Sequence, residues 1–176
     1  FSKFFRYNSC FSTFLLPLRF LESQYILFRD LLDVHFMQQL QTIDADTLMC
    51  TPLPVTQFIV EGLLPEGLHI LAGSPKIGKS WLALWICLRV SKGEPVWELP
   101  VTRGTVLYLC LEDSYARIQN RLFQITDDAP DTLHFTNLSG SIGDGLEDQI
   151  VSFLTEHPDT NLIVIDTLQK IRDIVP

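Results

Sequence analysis

From residue 58 onward, the apolar positions of the chain fall into two kinds of run. Residues 68–72, 105–111, 133–136 and 162–166 are short and nearly continuous, too short for helices, and read as strands; the run at 105–111 suits a strand buried on both faces. Between these lie stretches with helical spacing. Ile118, Leu122 and Ile125 share one face of a helix over 115–125, with Arg117 and Arg121 on another. Ile150, Phe153 and Leu154 face inward from a helix over 146–156 that ends near Pro158. Residues 81–88 continue without Gly or Pro and are apolar enough for a buried helix, which Gly93-Glu94-Pro95 ends. Residues 97–103 and 140–145 read as loops. The apolar run at 58–64 leads into a turn at Pro65-Glu66-Gly67. Strands alternating with helices predict an α/β fold, a mainly parallel sheet with helices on both faces. There are no internal repeats.

The first 36 residues break this pattern. They hold eight of the twelve phenylalanines, show neither a strand nor a helix period, and contain almost no turn residues. Their longest uncharged stretch, residues 7–18, is too short to cross a bilayer. Lys3 and Arg6 precede an apolar stretch in the manner of a signal peptide, but no small-residue cleavage site follows. The first methionine is Met37. The expectation is that residues 1–36 are non-native upstream sequence; a helical extension and a targeting segment are the alternatives. Residues 37–54 form a lead-in with a short polar helix broken by Thr51-Pro52-Leu53-Pro54, and residues 55–176 form the core.

Between the strand at 68–72 and the helix after it lies Gly73-Ser74-Pro75-Lys76-Ile77-Gly78-Lys79-Ser80. This is a complete G-x-x-x-x-G-K-[ST] phosphate-binding loop in its required strand–loop–helix context. Its glycines let the backbone curl so that successive N–H groups point at phosphate oxygens. Lys79 reaches the β- and γ-phosphates, Ser80 coordinates Mg²⁺, and the helix aims its positive N-terminus at the anion. The cofactors implied are ATP and Mg²⁺.

Two acids complete the site. Asp166 ends an apolar strand 87 residues after Lys79, where a carboxylate sits beside the bound metal and holds it through water. Glu112 ends the strand at 105–111 and opens onto the same rim of the sheet, placed to polarise the water that attacks the γ-phosphate. The competing reading is that Glu112 caps the following helix, although Asp113 or Ser114 fits that job better. Gln169 is a candidate γ-phosphate sensor. Trp81 and Trp85 read as core packing, and Arg103, Arg117 and Arg121 as surface charges.

The formal net charge of −8 excludes a basic DNA-binding module, though not an ATPase whose DNA contacts lie elsewhere. Cys10, Cys50, Cys87 and Cys110 form no C-x-x-C pair, and His35, His69, His134 and His157 make no metal spacing with them. Free thiols and a cytoplasmic setting accompany a phosphate loop.

Together, residues 73–80, the strand that ends in Glu112-Asp113 and the strand that ends in Asp166 resemble the RecA-like ATPases. The wording is similar to the RepA-like hexameric replicative helicases, "AAA family ATPases" of plasmids, phages and integrative elements. It runs from Leu63-Leu64-Pro65-Glu66-Gly67 through Leu107-Tyr108-Leu109-Cys110-Leu111-Glu112-Asp113 to Val164-Ile165-Asp166-Thr167-Leu168-Gln169-Lys170. The resemblance covers about residues 51–173. It implies a DNA-dependent ATPase with Glu112 as catalytic base, a ring-shaped homo-oligomer and single-stranded DNA as partner. It also implies a further strand between the phosphate-loop strand and the Asp166 strand, DNA loops and an arginine finger, all later than Pro176. The expectation is therefore an N-terminal piece of the core, truncated before that strand and poorly stable alone. A RecA-like recombination ATPase, a small-molecule phosphate-loop kinase and an inactive gene remnant are the other readings.

Overall fold

The computed structural model describes residues 13–17 and 42–171. Their elements are β1 (Thr13–Pro17), α1 (Ala45–Cys50), β2 (Phe58–Val60), β3 (Leu64–Pro65), β4 (His69–Leu71), α2 (Lys79–Lys92), β5 (Thr105–Cys110), α3 (Tyr115–Ile125), β6 (Leu133–Thr136), α4 (Leu146–Glu156), β7 (Thr160–Asp166) and α5 (Leu168–Ile171).

The main sheet has five strands in the order β4-β1-β7-β5-β6. β7, β5 and β6 pair in parallel. β1 runs antiparallel to both of its neighbours, so β4 points the same way as β7, β5 and β6. β2 and β3 form a separate two-stranded ribbon in place of a single run over 58–64.

Every residue of β5 and of β7 is buried, as a strand covered on both faces requires. Side chains alternate between two cores. Val106, Tyr108 and Cys110 of β5 and Leu162 and Val164 of β7 pack with Ala83, Leu84, Cys87 and Leu88 of α2, and Ile118 of α3 joins them. Leu107, Leu109, Ile163 and Ile165 point the other way, onto Leu146 and Ile150 of α4 and Ile171 of α5. The expected α/β architecture, helices on both faces of a mainly parallel sheet, is present.

Local signals place the helix ends. Ser114 caps α3 by accepting from the Arg117 amide, the role expected of Asp113 or Ser114. Gly93 closes α2 in a left-handed conformation (φ 73°), its N–H reaching the carbonyls of Arg89 and Val90.

Two features depart from expectation. β4, whose apolar run at 68–72 predicts a buried strand, is not fully buried: it lies at the sheet edge and Ile70 is 60% exposed. The position between β4 and β7, expected to be empty, is filled by β1. Thr13 pairs with Leu71 on one side and with Asp166 on the other. The physical reason is that the facing N–H and C=O groups of β4 and β7 need partners, and any extended segment supplies them. Residues 13–17 thus belong to the sheet although their sequence has no strand period; the rest of the segment 1–36 lies outside the described residues.

Candidate nucleotide site at the strand ends

The phosphate loop leaves β4 at Ala72 and turns into α2 at Lys79. Lys76 (φ 63°) and Gly78 (φ 101°) both have positive φ, which produces the curl. Gly78 is the N-cap of α2 and offers no side-chain cap, so the first-turn N–H groups face the loop interior without a side-chain competitor for an anion. Of the two motif glycines only Gly78 has a positive φ. At Gly73 a Cβ would meet Ile77 Cγ2 at 3.5 Å and Lys79 Cδ at 3.7 Å, ordinary contacts.

Lys79 folds back over its own loop. Its Nζ donates to the carbonyls of Gly73 at 2.8 Å and Ser74 at 3.0 Å. An ammonium held by two neutral carbonyls can exchange them for phosphate oxygens with a net electrostatic gain.

Asp166 ends β7 with 6% exposure, directly opposite Cys110 in the β5–β7 register. Its Oδ2 accepts from the Tyr108 hydroxyl at 2.9 Å. Burial, then the Asp166 charge, push the Tyr108 phenol well above its ordinary range, so it is a neutral donor. Glu112 follows β5 and is exposed. Its Oε1 accepts from the Thr167 hydroxyl at 3.1 Å, and Thr167 is itself buried. The adjacent parallel strands therefore deliver both acids to one rim of the sheet, the usual location of ligands in α/β folds.

A second layer of charge lies over this rim. Asp113 pairs with Arg121 and, at 3.1 Å, with the more exposed Arg117. The Arg121 guanidinium also lies 5.5 Å from the centre of the Trp81 ring, within cation–π range. The cleft these groups enclose measures about 460 Å³ and is lined by Lys79, Ser80, Trp81, Glu112, Arg121 and Asp166 among others. That volume suits a small ligand.

Most of the sequence-derived site residues converge here. Pro75, Lys76, Gly78, Lys79, Ser80, Glu112 and Asp166 all line the cleft. Gly73 and Ser74 contribute through their carbonyls to Lys79. Ile77, 70% exposed, and Gln169, exposed on α5, are outside the cleft lining. Two assignments change. Trp81 is not core: it is 37% exposed and forms a wall of the cleft. Arg121 is not a free surface charge: its side chain is 17% exposed and held between Asp113 and Trp81. In both cases helical spacing identified the face but not the neighbour across it. Tyr108 and Thr167 were missed altogether, though a tyrosine inside a fully apolar strand signals a hydroxyl that needs a partner.

The donor set fits a magnesium–nucleotide complex. A hydroxyl and a carboxylate supply hard oxygen ligands, and an ammonium with uncapped helix N–H groups supplies the anion cradle. Residues 73–80 would hold the phosphates, and Ser80 with Asp166 would hold the metal. Among the described residues no helix is long and apolar enough to cross a membrane.

No curated protein and no solved structure matches the chain. One family model, described as the AAA domain, matches residues 36–175. That span takes in the phosphate loop, both acidic strand ends and every helix described above, and on this match the chain belongs to the AAA-domain family of nucleotide-binding ATPases.

Proposed function

We propose that this cleft binds Mg-ATP and hydrolyses it, and that the chain is the motor core of a DNA-dependent ATPase of the RepA-like replicative helicase type from a mobile element. The observation that carries the chemistry is the meeting of Glu112 and Asp166 on adjacent parallel strand ends beside Lys79 and Ser80. Lys79 leaves the Gly73 and Ser74 carbonyls for the β- and γ-phosphate oxygens. Glu112, fixed by Thr167, orients a water and accepts its proton as the water oxygen bonds to the γ-phosphorus. The bond from that phosphorus to the β–γ bridging oxygen breaks, and its electrons leave with ADP. Magnesium, when bound, neutralises charge developing on the β- and γ-oxygens.

The helicase part of the reading rests on the likeness of residues 63–67, 107–113 and 164–170 to that branch. With a net charge of −8, single-stranded DNA is bound by regions other than a basic face of this core, in a homohexameric ring in the cytoplasm.

Phosphate release from ATP, measured with and without single-stranded DNA beside a Glu112→Gln variant, tests this. The expected result is turnover that rises with DNA and is lost in the variant, which still binds nucleotide. Turnover indifferent to DNA overturns the helicase reading. Phosphate passed to a small acceptor instead of water replaces it with a kinase.

A further inference from the structure

Tyr108 lies in the middle of β5 and is completely buried. Its ring packs beside Phe135, centroids 5.9 Å apart. In the β5–β7 register Tyr108 opposes Val164, and Cys110 opposes Asp166. Tyr108 is thus the diagonal neighbour of Asp166 on one face of the sheet, a separation that an aromatic side chain can span. The hydroxyl lies 2.9 Å from Asp166 Oδ2 and 3.5 Å from the carbonyl oxygen of Ser80. A phenol has one proton to give. It is shared with the nearer Asp166 oxygen as a hydrogen bond, and the Ser80 distance is too long for a hydrogen bond of any strength.

The buried hydroxyl therefore bonds Asp166, at the end of β7, and lies near the backbone of Ser80, in the first turn of α2, the two residues that would hold a metal here. We propose that Tyr108 is a positioning residue for metal capture. It fixes the orientation of the Asp166 carboxylate, which lines the same cleft as Ser80, so that the two present a preformed pair. Without the hydroxyl, the buried carboxylate loses a fixed partner, and part of the binding energy goes into orienting it. This role rests on the Mg-nucleotide reading of the cleft.

Tyr108→Phe keeps the ring and removes only the oxygen. The binding of a fluorescent ATP analogue is titrated against Mg²⁺ and repeated in EDTA, for the wild-type chain, Tyr108→Phe and Lys79→Ala. The expected result for Tyr108→Phe is an Mg²⁺ requirement raised about ten-fold, as for loss of one hydrogen bond to a charged group, with metal-free nucleotide binding unchanged. In an Asp166→Asn background the same change has no further effect, because Tyr108 acts through Asp166. An unchanged Mg²⁺ requirement, or an equal loss with and without metal, overturns the role. Lys79→Ala separates this from the parent reading: it loses nucleotide under both conditions if the cleft is the nucleotide site, and a wild-type chain that binds no nucleotide overturns both. If Tyr108→Phe does not fold, ¹⁹F NMR of the wild-type chain labelled with 3-fluorotyrosine decides. The chain has four tyrosines, so Tyr108 is assignable by replacing the others, and a resonance unmoved by Mg²⁺ with nucleotide sinks the proposal.

Discussion

Thr167 donates its hydroxyl to Glu112 Oε1 across 3.1 Å and so ties the residue after β7 to the acid beyond β5. Like Asp166, which accepts from Tyr108, Glu112 thus accepts from a hydroxyl on the neighbouring segment.

Thr167→Val removes that donor at almost constant volume. On the proposed mechanism, Glu112 then samples orientations that do not face the attacking water. ATP turnover should fall by roughly five- to ten-fold, the effect of one lost hydrogen bond, with nucleotide affinity unchanged. A weakened affinity with intact turnover would show that Thr167 shapes the pocket and not the acid.

Glu112→Gln retains shape and the capacity to accept from Thr167, but a neutral amide does not take a proton. Steady-state hydrolysis should drop by at least about a hundred-fold, while equilibrium binding of ATP persists.

Gly78 has φ 101°, which an L side chain adopts only under strain. Nothing lies within 4 Å of a Cβ built there, so the cost of Gly78→Ala is conformational and not steric. It should destabilise the fold by about 1–2 kcal/mol, a fall of several degrees in the thermal midpoint for a chain of this size. Relaxation of the strained loop should also weaken nucleotide binding.

Burial pushes the Cys110 thiol from its ordinary 9.0 up to about 11, and it pushes the Cys87 thiol and the Tyr108 phenol upward as well. In the unfolded chain these groups ionise at their ordinary values. The folded state, which keeps them neutral, therefore loses stability as pH rises, starting near 9 and, for Cys110, continuing to about 11. Thermal midpoints recorded between pH 8 and 11 should fall steadily. At pH 8, iodoacetamide should label Cys50, which is exposed, far faster than the buried Cys87 and Cys110; equal rates would contradict the packing.

Deleting residues 1–36 strips β1 from between β4 and β7. The backbone groups now paired from Thr13–Leu71 and Thr13–Asp166 onward lose their partners. The shortened chain should melt at a markedly lower temperature than the full chain, and the amides of β4 and β7 should lose hydrogen-exchange protection. A shortened chain with undiminished protection would show that β1 adds nothing.

How far the sequence alone could be read depended on whether the deciding contacts were local. The bounds of α3, β6 and α4 follow from neighbouring residues: the Ser114 cap, the loop through Gly140 and Gly145, and the stop at Pro158. The phosphate loop was legible because its glycine, lysine and serine positions form one local pattern, and the two acids because each follows an apolar strand. β1 was not, because what makes it a strand is its pairing with β4 and β7, segments far from it in sequence. Trp81 was misread for a related reason. On the α2 face alone it looks like Trp85, and what distinguishes a cleft wall from a core-packed side chain is its place beside Glu112, Arg121 and Asp166, which come from other elements.

The placement of Trp81 has an optical consequence. The chain has three tryptophans. Trp85 and Trp97 lie together, ring centroids 5.5 Å apart, with Arg89 over Trp85, whereas Trp81 follows Ser80 directly, lines the cleft and carries the Arg121 guanidinium over its face. An indole emits at a wavelength set by the charges around it. A ligand that draws Arg121 toward itself therefore alters the emission of Trp81, and the chain carries its own fluorescent gauge of cleft occupancy.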